Sequence, residues 1–388
     1  MNISALRGKK ERYVIGLASD AACNGVDMAL ARIKGWGPDL HLKLIAHDFL
    51  PYEPGLRTRL TGARLHARDL AILNFDLAEV FATAARRMMR QAEEDRVEPD
   101  FIGSMGHTAG HAPIRGEGSN PGELTLGDST VLARRTGLPV VSDFPPRDMA
   151  VGGQGAPLEG YADWVLFRRV DRSVLSLHIG GLTRMTVATP STDNVMAFHV
   201  GPGVAAMDGA VQLLTGGGHQ GDPEGAMASR GVVIDEFLDL LLEHPFLNRV
   251  PPKSTSRDEF GPDNYLREAI SARKGLNHHM DDFSATVTTA VAFSIIRAYT
   301  RFVKPHHTIA RLILSGPGTA NAALVAHLRN GLGELVFRKS DDYGLPGKSL
   351  APVAAAILAN EYICGVSANL PHATGARHAV RLGTLTRP

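Results

Sequence analysis

The chain is expected to be a two-domain α/β protein, for three reasons. Its 388 residues give room for two or three domain-sized units. Its apolar content of 44% is ample for real cores. Each half opens with apolar runs that look like paired strands, near Tyr13 and again past Trp164, and each continues as alternating helix and strand patterns. The expected domains are residues 1–170 and 171–388, with the final helix a candidate to return to the first.

Bulk properties exclude several classes. The net charge of +1 argues against an extended nucleic-acid surface. Cys23 and Cys364 match no zinc or redox spacing, so a reducing, cytoplasmic setting is expected. Arg7, Lys9, Lys10 and Arg12 precede an apolar stretch, Tyr13 to Ala18, that is too short for a signal peptide. No run approaches the ~18 apolar residues that a membrane span needs, so no membrane partner is expected.

Taken in order, Tyr13–Leu17, Val26–Ile33 and Leu40–Asp48 alternate as antiparallel strands. Leu73, Leu77, Val80, Phe81, Ala84 and Met88 repeat at helical spacing within 70–89. Phe101–Ser104 is a strand that opens a loop, M-G-H-T-A-G-H, and a short helix at 131–136 precedes the strand Pro139–Val141. In the second half, Val174–Ile179 and Leu182–Val187 form a hairpin around Gly180-Gly181. Val195–Val200 then ends at G-P-G and leads into a helix from Val204. A helix at 232–242 stops before Pro245, and a longer one covers 284–302. Ile309–Leu314 is a strand entering S-G-P-G-T-A-N, and 350–365 is the last core helix.

The most informative segment is V-V-S-D-F-P-P-R-D-M-A-V-G-G-Q-G-A-P-L, from Val140 to Leu158. A glycine-glutamine-glycine loop lets backbone approach a ligand closely. Asp143, Arg147, Asp148 and Gln154 are polar groups of the kind that hydrogen-bond a polyol, although Arg147 is equally suited to pairing with Asp148. The spacing resembles the D-F-R-x-x-D-x-x-x-G-G-Q-G-A-P-L segment of the anhydro-N-acetylmuramic acid kinases, sugar kinases of the actin, hexokinase and Hsp70 superfamily, with Pro145 where that family has arginine. The likeness runs from Tyr13 to about Thr374. L-T-L-G-D, ending at Asp128, is similar to L-Q-I-G-D. P-K-S-T-S-R-D-E-F at 252–260 is similar to P-K-S-T-G-R-E-x-F, and N-L-P-H-A-T-G-A at 369–376 to N-L-P-S-V-T-G-A.

The resemblance implies two ribonuclease-H-like (actin-like ATPase) domains around a central cleft, with no repeat visible in the sequence. It implies a homodimer acting on an anhydro-sugar in cell-wall recycling, with ATP and Mg²⁺ as cofactors. On this mapping Ser19, Gly25 and Asp27 belong to a first phosphate loop in the first domain. Gly180 and Gly181 belong to a second, Gly201 and Gly203 to the G-P-G turn, and Gly316 and Gly318 to the adenosine side. His107, His111, Asp128, Asp143, Arg147, Asp148 and Gln154 belong to the sugar side.

The chain departs from the family on the phosphate side. G-x-M-S-G-T-S-x-D-G-V-D becomes G-L-A-S-D-A-A-C-N-G-V-D, so Asp20 brings a negative charge and Ala21 and Ala22 remove two hydroxyls. One unit charge at ~4 Å costs about 4 kcal/mol at an effective dielectric of 20, although a bound Mg²⁺ would reverse the sign. L-N-I-G-G-I-A-N becomes L-H-I-G-G-L-T-R, introducing His178 and Arg184. D-T-G-P-G-N, whose aspartate is the family's general base, becomes H-V-G-P-G-V. His199 stands at the catalytic position; a neutral imidazole with a pKa of about 6.5 still accepts a proton. G-G-G-S-x-N-P becomes S-G-P-G-T-A-N-A, a family glutamate falls at Ala351, and H-G-Q-T becomes M-G-H-T at 105–108.

The expected function is therefore binding of a sugar or anhydro-sugar by a diverged family member without standard phosphotransfer. An active ATP-dependent sugar kinase using His199 as base is the alternative. A third reading builds a metal-dependent hydrolase or lyase on His107, His111, His178 and His199. Chance proximity among sixteen histidines explains these as well, so the expectation is no metal. The pair His278-His279 carries no signal, and Gly216-Gly217-Gly218 reads as a connector, with no lysine at P-loop spacing.

Overall fold

A computed structural model describes residues 3–62, 65–113, 120–267 and 279–388. His278 lies outside the described residues. The strands are β1 Glu11–Ser19, β2 Gly25–Lys34, β3 His41–Pro51, β4 Phe101–Ala112, β5 Gly122–Leu126, β6 Val140–Ser142, β7 Ser173–Ile179, β8 Leu182–Ala188, β9 Met196–Pro202, β10 Ile309–Ser315, β11 Val336–Lys339 and β12 Thr384–Thr386. They form two sheets. The first has the order β12-β6-β4-β1-β2-β3, with β5 paired to β4; the second has the order β11-β10-β7-β8-β9.

The duplication is plain at this level. In the first sheet β1, β2 and β3 are antiparallel neighbours, β4 runs parallel to β1, and β6 parallel to β4. In the second, β7, β8 and β9 are antiparallel neighbours, β10 runs parallel to β7, and β11 parallel to β10. This is the ribonuclease-H-like order, made twice in a mixed α/β fold, as the resemblance implied.

The chain divides into two units, one running to Phe167 and resumed by Tyr343–Pro388, the other Arg168–Asp342. The sequence suggested one boundary near 170; the chain crosses at 167/168 and again at 342/343. The second crossing follows from the helix Leu350–Cys364. It is apolar all round and buried along nearly its whole length, which suits a helix packed in a core. It packs on β1 and β4 of the first sheet. Two glycines permit the contact: a Cβ on Gly16 would lie 1.8 Å from the carbonyl oxygen of Pro352, and one on Gly103 would lie 2.2 Å from that of Ala355. Arg12, fully buried, bonds Asn360 at 2.7 Å, and Glu361 accepts from the Gly37 N–H at 3.0 Å.

On the other side of this sheet the helix Ala67–Glu94 buries Leu73, Leu77, Phe81, Ala84 and Met88. M-G-H-T-A-G-H was expected to be a loop. It is strand instead, because β4 continues through Ala112 while pairing with β5. The second unit is built around the helix Met280–Ala298, which buries Val287, Val291 and Ile295 against Leu177, Met185 and Phe198. No helix among the described residues is long and apolar enough to cross a membrane.

Gly16→Ala places a methyl group inside van der Waals distance of the helix backbone. The expected loss is about 3 kcal/mol, the upper end for overpacking, read as a lower urea midpoint at unchanged m-value. A loss below about 0.5 kcal/mol would mean that the helix does not rest on this glycine.

Candidate functional site

In the first unit the candidate residues begin where β1 ends. A register shift between Leu17 and Ser19 sets Ser19 opposite His107 on β4. The Ser19 hydroxyl lies 3.0 Å from His107 Nδ1 and accepts from the Tyr52 hydroxyl at 2.7 Å. Cys23 Sγ lies 3.8 Å from His107 Nε2. The loop turns through Cys23, which has a φ of 52°, with the Cys23 N–H on the Asp20 carbonyl and the Ala22 N–H on the Asp20 carboxylate at 2.9 Å. Gly25 is needed for pairing, since a Cβ there would meet Leu50 O at 2.4 Å. Asp27 sits half-buried on β2. Burial first, and then the Asp20 charge, raise its carboxyl pKa to about 7 against the opposing pull of Lys348.

The Asp143–Leu158 segment separates into two roles. Asp143, exposed and at a φ of 54°, receives the Ser142 hydroxyl at 2.8 Å. It lines a cavity of about 130 Å³ together with Asn74, Ser104, Thr125, Asp128, Ser129 and Ser142. Asp128 also caps the helix Ser129–Thr136, accepting from the Thr130 and Val131 N–H groups. Asp148, by contrast, is fully buried, taking the Gly155 N–H, the Asn369 amide and the Thr374 hydroxyl at 2.7–2.9 Å. The glycine loop closes on this carboxylate: a Cβ on Gly153 would lie 2.0 Å from Asp148 Oδ2. Backbone does come close to a polar group here, as the loop's glycines suggested, and that group is Asp148. Arg147 is exposed, and the Gln154 N–H bonds Thr374 O at 2.9 Å. His111 is paired with Glu123 at 2.8 Å.

In the second unit the glycines are likewise filled by protein. A Cβ on Gly203 would meet Gly180 O at 2.4 Å, on Gly201 Leu247 at 2.9 Å, and on Gly316 or Gly318 Ile179 at 2.5 and 2.4 Å. The N–H groups of Val204 and Ala205, at the start of the helix Val204–Leu214, bond the carbonyls of Gly180 and Gly181. His178, Arg184 and His199 are successive cross-strand partners on β7, β8 and β9, and Ser315 joins the row with its hydroxyl 3.0 Å from His178 Nδ1. His199 Nδ1 lies 3.0 Å from both the N–H and the carbonyl of Thr255. Its own N–H bonds the carbonyl of Lys253, whose ammonium group is enclosed by Phe198, Phe246 and Phe302. Burial and the nearby Arg249 push Lys253 down to about 7.

At the first loop the Ser19 hydroxyl meets Tyr52 and His107, Ala21 and Ala22 carry no hydroxyl, and Asp20 and Asp27 contribute two carboxylates, the chemistry that a magnesium ion accepts. The first N–H groups of the second-unit helix are used by Gly180 and Gly181. Among the described residues no three His, Cys, Asp or Glu side chains gather where they could hold one metal ion. Tyr52, Asn74, Glu123 and Lys348 entered from elements that carried no motif, and only the strand pairing and helix packing bring them in.

The family model described as anhydro-N-acetylmuramic acid kinase matches residues 12–388. The anhydro-N-acetylmuramic acid kinase of Caldanaerobacter subterraneus subsp. tengcongensis is 35% identical over 390 residues, covering 97% of this chain and 98% of that protein. That of Salinibacter ruber is 36% identical over 393 residues, covering 99% and 98%. Among solved structures, a ROK family glucokinase from Streptomyces griseus in complex with glucose and AMPPNP aligns with 89% of this chain and 98% of its own, at 14% identity and a TM-score of 0.37.

Asp27 gives the site a pH signature. The folded chain holds this proton up to about pH 7, and the unfolded chain only to about 4. The unfolded state therefore loses the proton first as pH rises, and stability falls across that window. Asp27→Asn should match wild type in Tm near pH 4 and exceed it at pH 8. A constant difference across that range would place the Asp27 charge in an unstrained setting.

Proposed function

The chain belongs to the anhydro-N-acetylmuramic acid kinase family, and on that premise we propose that it binds a sugar or anhydro-sugar in the polar cavity of its first unit. The observation that carries this reading is the lining itself. Asn74, Ser104, Thr125, Asp128, Ser129 and Asp143 present amide, hydroxyl and carboxylate groups around one cavity of about 130 Å³. Neutral polyols are bound by such mixed donors and acceptors. Asp143 is the exposed carboxylate of the set, whereas Asp148, with His111 and Glu123 nearby in sequence to other cavity residues, acts by bracing the segments that carry it. In this reading standard phosphotransfer from ATP is not the activity, because the donors at both glycine loops are committed within the protein.

The test is thermal stability with anhydro-N-acetylmuramic acid, with Mg-ATP and with a non-hydrolysable analogue. A ligand at ~100 times its Kd adds about 2.7 kcal/mol. The sugar should raise Tm, the nucleotides should not, and Asp143→Ala should lose the sugar shift while keeping its own stability within about 0.5 kcal/mol. No shift with the sugar would sink the proposal.

One observation favours phosphotransfer with His199 as base. The Thr255 carbonyl is within reach of a proton on Nδ1, in competition with the Thr255 N–H that donates to the same nitrogen, and in the tautomer with Nδ1–H the proton acceptor is Nε2. If so, wild type turns over ATP and His199→Ala does not. On the binding-protein reading wild type is silent, and Asp20→Gly with His199→Asp is the pair of changes that restores turnover.

A further inference from the structure

We propose that Arg249, Arg297 and Arg301 form a surface site on the second unit that binds a phosphate dianion. Arg297 lies near the end of the helix Met280–Ala298, and Arg301 in the helical turn Tyr299–Val303 that follows it. Both reach across to one neutral atom. The amide oxygen of Asn248 accepts from Arg297 Nη2 at 2.6 Å and from Arg301 Nη1 at 2.9 Å. Arg249 is the next residue in the chain. An amide oxygen satisfies N–H groups but does not neutralise the charges that carry them. Among the described residues, the one carboxylate within ion-pair distance of the three is Glu259, 3.7 Å from Arg249, and its other oxygen takes the Thr255 hydroxyl.

Cations are favoured at a helix C-terminus, which accounts for a basic residue in the last turn. It does not account for three. The helix end carries about half a negative charge, and Glu259 adds one more, against three guanidinium groups. The surplus is local, since the whole chain has a net charge of only +1. It is felt inside the protein as well. Burial first, and then Arg249 and Arg301, hold the Lys253 ammonium down to about 7, with Glu259 pulling the other way and Arg297 adding to the repulsion.

The guanidinium groups are anchored. Arg249 lies over the Phe246 ring, with Cζ 5.3 Å from its centroid, and Arg301 over the Phe302 ring at 5.4 Å. The same two rings enclose the Lys253 ammonium. Stacking holds a guanidinium against its ring, and Arg297 is tied further by the carbonyl of Leu242 at 3.2 Å. All three side chains belong to exposed residues. Planar forks held at an open surface suit a tetrahedral oxyanion, whose oxygens take N–H groups from more than one arginine. A monocarboxylate, with two oxygens and one charge, uses such a site only in part. Exposed charge pairs are weak, so a dissociation constant on the order of 1 mM is expected. None of these residues lines the cavity on which the sugar reading rests, and that cavity belongs to the first unit, so either proposal can fail alone.

The experiment uses the full chain and inorganic phosphate, with chloride at matched ionic strength as the control, so that general screening cancels. Phosphate should raise Tm in a saturable way, and acetate should not. Glycerol phosphate separates the sources: a matching shift assigns the site to phosphate monoesters as well, and its absence restricts the site to the free ion. Arg297→Gln combined with Arg301→Gln should weaken phosphate binding by ~10-fold or more, the size expected for charge-assisted hydrogen bonds. Asn248→Asp sets a carboxylate among the guanidinium groups, so it should raise Tm without phosphate and abolish the phosphate shift. Phenylglyoxal labelling of wild type, read by peptide mass, gives the answer without a variant that has to fold. Phosphate should protect Arg297 and Arg301 and leave Arg172, which is paired with Asp171, as reactive as before. A phosphate shift no larger than that of chloride, a shift that survives in both variants, or equal protection of Arg172 overturns the proposal.

Discussion

The contact between the helix Leu350–Cys364 and the pair β1 and β4 is the constraint on which the first unit depends. It exists because Gly16 and Gly103 carry no Cβ, so helix backbone and strand backbone touch. Once the helix is seated there, the residues on either side of it are placed. Lys348, just before it, acts on Asp27 at the first loop. Asn369 and Thr374, just after it, reach the Asp148 carboxylate and hold the Asp143–Leu158 segment. The chain end then adds β12 to β6, the strand that leads to Asp143. One helix from the end of the sequence thus fixes both the loop after β1 and the segment after β6, which explains how motifs more than a hundred residues apart serve one unit.

Residues that the sequence keeps apart come together once the strands are paired. His178, Arg184 and His199 occupy one row across β7, β8 and β9. Neighbours on one face of a sheet interact, so a change at one alters the setting of the next. His199 stands beside Arg184 in that row, and Arg184 beside His178. The same holds in the first unit, where Asp20, Cys23 and His107 meet around Ser19 although their motifs are more than eighty residues apart.

Sequence periodicity located most of the strands and the long helices, because alternation and helical spacing are local properties. It placed the β1 to β3 hairpins and the β7 to β9 hairpins close to their observed bounds. It missed β5, β11 and β12, which are short and partly exposed and so carry little apolar pattern. It took M-G-H-T-A-G-H for a loop because glycines and polar residues dominate it; pairing with β5 keeps it extended. At the site, the sequence named Asp143 and Asp148 alike, since both are carboxylates near one glycine loop. Their separation into an exposed cavity residue and a buried brace is set by Asn369 and Thr374, two hundred residues away. Tyr52 could not be read at all, because nothing about a tyrosine at the end of β3 announces that it meets Ser19.

Retained glycines carry less functional information than their motifs suggest. A glycine is kept wherever a Cβ would collide, and the collision partner need not be a ligand. Gly153 is required by the Asp148 carboxylate, Gly203 by the Gly180 carbonyl, and Gly316 and Gly318 by Ile179. Each is called for by packing within the protein, since an added Cβ would force its neighbour to shift. The side chains beside them, Asp20, His178, Arg184 and His199 among them, are under no such packing demand, so a functional reading rests on side chains rather than on the glycine turns that present them.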